Sequence, residues 1–337
     1  MMKDILLKLI ALTPLLWATA CTLQDSNTDT PEGKSLVYII TPSSHPSLEA
    51  AIDGFRQGVA ESGWDQSKLD MQYSNANGEI SSIPRLVDRA IRRNADLLFV
   101  LSTPAAAAAV KKTNPAQIPL VYAAVTDPVK AGIVTEMQHS DTFATGVSDR
   151  YPVREQVQFF TTITPSAQQF GLLFNPAEQN SQILVNRTEQ ALTGAGKAPT
   201  RYEAAEDSEV AKVATRAFAE CDAVIINGDN LFTNNLPTVI NVAVSAKKPL
   251  YVGDPDSVER GALGTVGPSY RAMGRQAGQK AAKVLSGESI KQIPSEYPQY
   301  FDYVLNVAAA ASMGVTIPRS AWELRSVWKS VSGRGTD

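Results

Sequence analysis

From Leu36 onward, short runs of consecutive apolar residues alternate with longer segments whose apolar positions recur every third or fourth residue. Runs of the first kind suit strands buried on both faces, and segments of the second kind suit helices with one buried stripe. Residues 36–40 therefore read as a strand. The segment 48–61, with Leu48, Ala51, Ile52, Phe55 and Val59 on one face, reads as an amphipathic helix. Strands over 69–73, 96–101, 118–125 and 143–147 and helices over 83–93 and 105–112 continue the pattern. A second, similar series has helices over 153–163, 181–192, 210–219 and 236–246 and strands over 170–174, 223–226 and 250–252. Beyond Asp254 the pattern predicts a strand near 262–266, a helix over 270–285, a strand near 301–305 and a helix from Ala308.

This alternation is the signature of an α/β fold with parallel sheets covered on both faces. With 337 residues and 44% apolar content, the chain is too long for one small core, so two Rossmann-like lobes are expected. The elements after Asp254 must complete both lobes, and Gly, Ser and Pro concentrate near 147–149, 253–256 and 286–294. The expectation is a three-crossing hinge. Lobe I would comprise 35–147 plus 255–288 and lobe II 148–254 plus 289–325, with a disordered tail over 326–337.

Several predicted strands end in small hydrogen-bonding residues: Thr41-Pro42-Ser43-Ser44, Ser102-Thr103-Pro104, Thr126-Asp127-Pro128, Asn175-Pro176, Asp229-Asn230 and Asp254-Pro255. The carboxyl ends of the strands form the ligand crevice of an open α/β sheet, so such repetition suits a polar ligand. Residues 1–20 have a different logic. Lys3, an apolar run over 9–20 and the small residues Ala18-Thr19-Ala20 before Cys21 read as an export signal, too short and too interrupted by Lys8 to span a bilayer. Residues 21–34 are polar, as in a flexible tether. A net charge of −3 without a basic block points away from nucleic acid, and two cysteines with two histidines offer no metal-ligand spacing. No cofactor is expected.

Taken together, His45-Pro46-Ser47-Leu48, Thr126-Asp127-Pro128-Val129, Ala131-Gly132-Ile133-Val134, Phe174-Asn175-Pro176-Ala177-Glu178 and Asp229-Asn230 form a recognisable set. With Gly261-Ala262-Leu263, Gly267-Pro268, Tyr270, Gly274-Arg275-Gln276 and Gly278, the chain resembles the type I periplasmic solute-binding proteins of ABC importers. Within them it is similar to the lipoprotein family that includes tryptophan- and tyrosine-binding members. The resemblance implies the periplasmic binding protein type I fold, hinge closure on a ligand and an ABC permease as partner. It also implies a lipid anchor on Cys21, hence an exported, membrane-anchored monomer at the periplasm or cell surface. An aromatic side chain on the ligand is implied by the resemblance alone. Lys130, the missing Pro-Gly-Gly turn before Phe143 and Leu231 after Asp229-Asn230 depart from the family pattern.

An amino acid needs donors for its carboxylate and acceptors for its ammonium. Ser102 and Thr103, ahead of Pro104 and a run of alanines, suit a carboxylate at a helix N-terminus, and would equally cap that helix. Asp229, with Asn230 beside it, is the first candidate for the ammonium, with a helix cap as its alternative. Thr126 and Asp127 could face the ligand or, for Asp127 before Pro128, only fix a turn; Asp254 could serve the ligand or the hinge. Asn175, Asn180 and Ser181 would face the cleft from lobe II, although Asn175 before Pro176 also suits a turn. Ser44 and His45 open the first helix, and His45 could cap, stack or bind; Tyr270 could form an aromatic wall or pack. Cys221 reads as a small core residue. No nucleophile elbow, P-loop or dinucleotide fingerprint is present, so an enzyme is not expected. The alternatives are a tethered sensor of the same fold and a binder of a sugar or nucleoside.

Overall fold

Continuous Leu, Val, Ile and aromatic runs become strands because every side chain finds a covered face on one side of a sheet or the other. The computed structural model describes residues 33–323 and 328–331, so the expected signal, the lipidation site Cys21 and most of the tether lie outside the described residues. The first lobe comprises β1 (Ser35–Thr41), α1 (Pro46–Glu61), β2 (Leu69–Asn75), α2 (Ile83–Arg92), β3 (Leu97–Leu101), α3 (Thr103–Ala116), β4 (Leu120–Val125) and β5 (Ala144–Ser148). Its five strands are parallel in the order β2-β1-β3-β4-β5, with the Leu-Leu-Phe-Val-Leu of β3 wholly buried in the middle.

The chain then builds α4 (Val153–Ile163), β6 (Gln169–Phe174), α5 (Gln179–Gly194), β7 (Ala198–Glu203), α6 (Asp207–Glu220) and β8 (Ala223–Ile226). It continues through α7 (Asn230–Asn234), α8 (Leu236–Ala246), β9 (Leu250–Val252), α9 (Pro255–Glu259) and β10 (Gly264–Pro268). After α10 (Tyr270–Leu285) come β11 (Phe301–Asn306), α11 (Val307–Ser312), α12 (Arg319–Glu323) and β12 (Trp328–Val331). Among the described residues the second sheet has seven strands in the order β12-β11-β10-β9-β8-β6-β7, with only the β10–β11 pair antiparallel. Each sheet is therefore doubly wound, and the α/β expectation of two Rossmann-like lobes agrees with the structure.

Helix α10 returns to the first lobe and lies against α1 at backbone contact. A Cβ on Gly54 would sit 2.0 Å from Arg271 O, and one on Gly274 would sit 1.9 Å from Ala51 O, so only glycine permits this approach. Phe55 of α1 stacks on Phe99 of β3 at 4.0 Å, locking the pair to the sheet.

The crossings differ in part from the expectation. The first runs from β5 into α4. The second lies after Pro268, because β10 pairs with β9 and β11 of the second sheet; the expected crossing at 253–256 is instead the turn in which Asp254 caps α9. Residues 255–268 thus join the second lobe rather than the first. The third runs through Ser295 and Glu296, later than 286–294, and lies parallel to the first: Ser148 N donates to Glu296 O and Glu296 N to Gly146 O. Residues 328–331, expected in a disordered tail, pair with β11.

Candidate functional site

The C-terminal ends of the strands from both sheets face one another, and their loops meet in a small buried cavity. The first lobe contributes His45 and Leu48 at the start of α1, Ser102 and Thr103 at the start of α3, and Ala124 and Thr126 at the end of β4. Asp149 and Tyr151 come from the first crossing and Tyr270 from the second. The second lobe contributes Asn180, Gly228, Asp229, Asn230, Thr233 and Asp254.

The two lobes are closed on each other. Ser47 Oγ donates to Asp254 Oδ1 at 2.8 Å, Ser43 Oγ to Asn234 Oδ1 at 3.1 Å and Gln179 Nε2 to Lys130 O at 3.2 Å. Arg187 of α5 reaches Asp127 of the first lobe at 3.4 Å. Closure leaves a cavity of about 20 Å³, room for little more than a water molecule. Outside it, the rims enclose a vestibule of about 950 Å³ that includes Ser44, Glu79, Asn175, Glu178, Glu206, Asp207 and Asn230.

Hydrogen bonding inside the cavity is incomplete. Among the described residues, seven buried side-chain polar atoms lack a partner, and His45 Nδ1, Ser102 Oγ, Asp149 Oδ1 and Asn180 Oδ1, all on residues lining this cavity, are among them. Leaving such a group unpaired costs about 1–3 kcal/mol, so clustering at one place marks a site made for another molecule. Backbone strain concentrates there too. Ser102 has φ 73° and ψ 153° and Ala124 has φ 57°, both in regions unfavourable to a side chain.

The charges are one-sided. Among the described residues, Asp149, Asp229 and Asp254 line the cavity and no Lys or Arg does. Burial, above all, raises the Asp149 carboxyl to about 6, against the hydrogen bonds from Thr126 and Tyr270 that favour its ionised form. Tyr270 Oη donates to Asp149 Oδ2 at 3.3 Å and lies 2.7 Å from Tyr151 Oη; with its single proton so used, Tyr270 must accept from Tyr151. Burial and, secondarily, Arg260 lower His45 to about 3, so it is a neutral imidazole.

Asp229 lines the cavity and also takes the helix-cap role that was its alternative. Its Oδ1 accepts from Phe232 N at 2.8 Å, and its Oδ2 accepts from Asn175 N and Ser181 Oγ, each at 2.6 Å. It caps α7 and ties the loop after β6 to the loop after β8, and burial, with Glu178 nearby, raises its pKa. Asp254 is likewise committed, to Ser257 N, Ser257 Oγ and Ser47 Oγ.

Of the sequence-derived candidates, His45, Ser102, Thr103, Thr126, Asn180, Asp229, Asn230, Asp254 and Tyr270 meet at the cavity. Ser44, Asp127, Asn175 and Ser181 do not line it. Ser44 is exposed and donates to Glu49; Asp127 Oδ1 accepts from Lys130 N in its turn while Oδ2 faces Arg187; Asn175 Oδ1 accepts from Ala177 N in its turn; Ser181 supports Asp229. Lys130 and Leu231, two departures from the family pattern, also lie outside the cavity. Asp149 and Tyr151 were not among the candidates, although Ser148-Asp149 follows a strand just as the other polar clusters do. Among the described residues no cluster could hold a metal ion, and no helix is long and apolar enough to cross a membrane.

Comparison with known proteins follows the same line. A family model described as ABC transporter substrate binding protein matches residues 36–324. A tyrosine-binding protein of Clostridioides difficile (strain R20291) is 30% identical over 289 residues, 82% of each chain. The crystal structure of an ABC domain in complex with L-Trp from Streptococcus pneumoniae is 27% identical, covers 88% of this chain and 99% of its own, and superposes with a TM-score of 0.83. A ligand-free, open substrate-binding protein from Clostridium difficile, 26% identical over 89% of this chain and all of its own, superposes at only 0.67. At nearly equal identity, the whole chain superposes better on the L-Trp complex than on the ligand-free, open structure.

Proposed function

Because the chain belongs to the ABC transporter substrate-binding protein family, we propose that this substrate-binding component traps an aromatic amino acid between its lobes for an ABC permease. Its task is capture, not catalysis. The observation that carries the choice of ligand is the cluster of unpartnered polar atoms on a cavity whose charged residues are all aspartates. In this reading Asp149 Oδ1 and Asn180 Oδ1 accept from the ammonium. Ser102 Oγ and the first N–H groups of α3 donate to the carboxylate, which also sits at the positive end of that helix. Leu48, Tyr151 and Tyr270 frame the side chain. The tyrosine-binding relative and the L-Trp complex support an aromatic one.

An amino acid is far larger than the closed cavity, so it enters only as the lobes part about their crossings. The ligand-bound form is therefore wider than this closed one, and the ligand populates it by its preference for that form over the others. A sugar or nucleoside carries no ammonium for Asp149 and suits this site less well. Proteins of this family act outside the cytoplasm. The small residues before Cys21 support a lipid anchor there.

Calorimetric titration tests the reading with L-tryptophan, L-tyrosine, tryptamine, indole-3-propionate and D-ribose. The two amino acids should bind, both truncated analogues should bind more weakly by at least about tenfold, and ribose should not bind. Indole-3-propionate binding as tightly as L-tryptophan would remove the ammonium contact, and ribose binding in their place would overturn the ligand class.

A further inference from the structure

A second cavity, of about 490 Å³, opens at the hinge, where the first and third crossings run side by side. It shares only Tyr151 with the central cavity. Three guanidinium groups line it, Arg150, Arg154 and Arg187, against one carboxylate, Glu155. These arginines are poorly matched by the protein itself. Arg187 has a single ion pair, to Asp127 at 3.4 Å; Arg150 lies 5.0 Å from the ring centre of Tyr297 without a carboxylate partner; no hydrogen bond or ion pair engages the Arg154 guanidinium among the described residues. Tyr297, on the third crossing, and Phe301, at the start of β11, leave 44% and 38% of their surface exposed around the same opening.

Planar guanidinium forks match the oxygen geometry of carboxylates and phosphates, and aromatic walls bury the body that carries such a group. The volume is that of a small-molecule site. We propose that this hinge cavity is a second binding site, for a small organic oxyanion with a flat apolar body, its carboxylate or phosphate among Arg150, Arg154 and Arg187 and its body against Tyr297 and Phe301. The site is opposite in charge to the central cavity, so it favours anions that lack the ammonium the central cavity is built to hold.

Titration of the purified protein with phenyl phosphate, benzoate, inorganic phosphate and phenol tests the site. Phenyl phosphate or benzoate should bind, the stronger of the two identifying the head group, inorganic phosphate should bind more weakly, and phenol should not bind up to roughly 10 mM. The double variant Arg150→Gln/Arg154→Gln should weaken the preferred anion by at least about tenfold. Glu155→Gln, which removes the one lining carboxylate, should strengthen it. Both variants change exposed side chains, and unchanged titration of the central cavity by L-tryptophan or L-tyrosine verifies that they fold. Absence of binding by both organic anions, phenol binding as tightly as they do, or an affinity indifferent to both variants would each overturn the proposal.

Discussion

Tyr270 Oη donates to Asp149 Oδ2 at 3.3 Å and leaves Oδ1, on the same carboxylate, without a partner. The phenol holds the carboxylate in place, and the free oxygen is available to a cation. Because burial raises the Asp149 carboxyl to about 6, the group that would hold an ammonium is partly protonated in mild acid. Affinity for an amino acid should therefore fall by about tenfold between pH 7 and pH 5, as protonation must be reversed before the ammonium binds. His45, held at about 3, does not titrate in that window, whereas Asp229, also raised by burial on the same cavity, adds to the fall. Titrations across this range check it, and a flat profile would separate Asp149 from the ligand.

Replacing Asp149 by Asn should move stability and binding in opposite directions. A carboxyl whose folded value is raised to about 6 from 3.8 contributes stability that is present below 3.8 and lost as pH rises through about 6. At pH 8 the ligand-free protein thus carries a buried charge whose removal is worth up to about 3 kcal/mol, and Asp149→Asn should raise its Tm by several degrees. Amino-acid binding should weaken by at least about tenfold. Thermal denaturation at pH 8 without ligand, paired with calorimetry, reads both; a Tm that falls would show that the carboxylate supports the fold.

The strands that carry the site were legible because burial on both faces writes itself as unbroken apolar runs, as in β3, β4 and β8. Strand β7 was not, since in Ala-Pro-Thr-Arg-Tyr-Glu only Tyr202 is buried and no period emerges. The polar cluster at Gly253–Asp256 looked like a crossing because a turn that caps a short helix uses the same residue types as a linker. For Asp229 the spacing to Phe232 is that of an N-cap, and the cap reading was the one the fold uses. Asp149 is conspicuous only once the lobes are closed, because its burial and its unpaired oxygen are tertiary properties absent from any local pattern.

Asp229→Ala should act mainly on the fold. The substitution strands the N–H groups of Asn175 and Phe232 and the hydroxyl of Ser181 in a buried loop junction. Each stranded donor costs about 1–3 kcal/mol, offset in part by removing a buried carboxylate beside Glu178, for a net loss of about 2–4 kcal/mol. Urea denaturation of the ligand-free variant measures this directly. An unchanged midpoint together with lost binding would return Asp229 to the role of ligand partner.

Two glycine substitutions of identical chemistry should have opposite signs. At Gly274 a Cβ would lie 1.9 Å from Ala51 O, a backbone atom that cannot yield without moving α1 away from α10. At Gly194, the last residue of α5, nothing lies within 4 Å and the backbone is not left-handed. Gly194→Ala should stabilise by up to about 1 kcal/mol through reduced freedom of the unfolded chain. Gly274→Ala should destabilise by about 3 kcal/mol or more through overpacking. Its effect should also reach the site, because α1 begins beside His45 and α10 begins at Tyr270, and both residues line the central cavity. Separating the helices displaces the hydroxyl that steadies Asp149, so Gly274→Ala should weaken amino-acid binding even at temperatures where the variant is fully folded, whereas Gly194→Ala should leave it unchanged. Denaturation and calorimetry on the pair decide the matter: equal stabilities would show that the α1–α10 contact relaxes freely, and unaltered binding by a folded Gly274→Ala variant would uncouple that contact from the site.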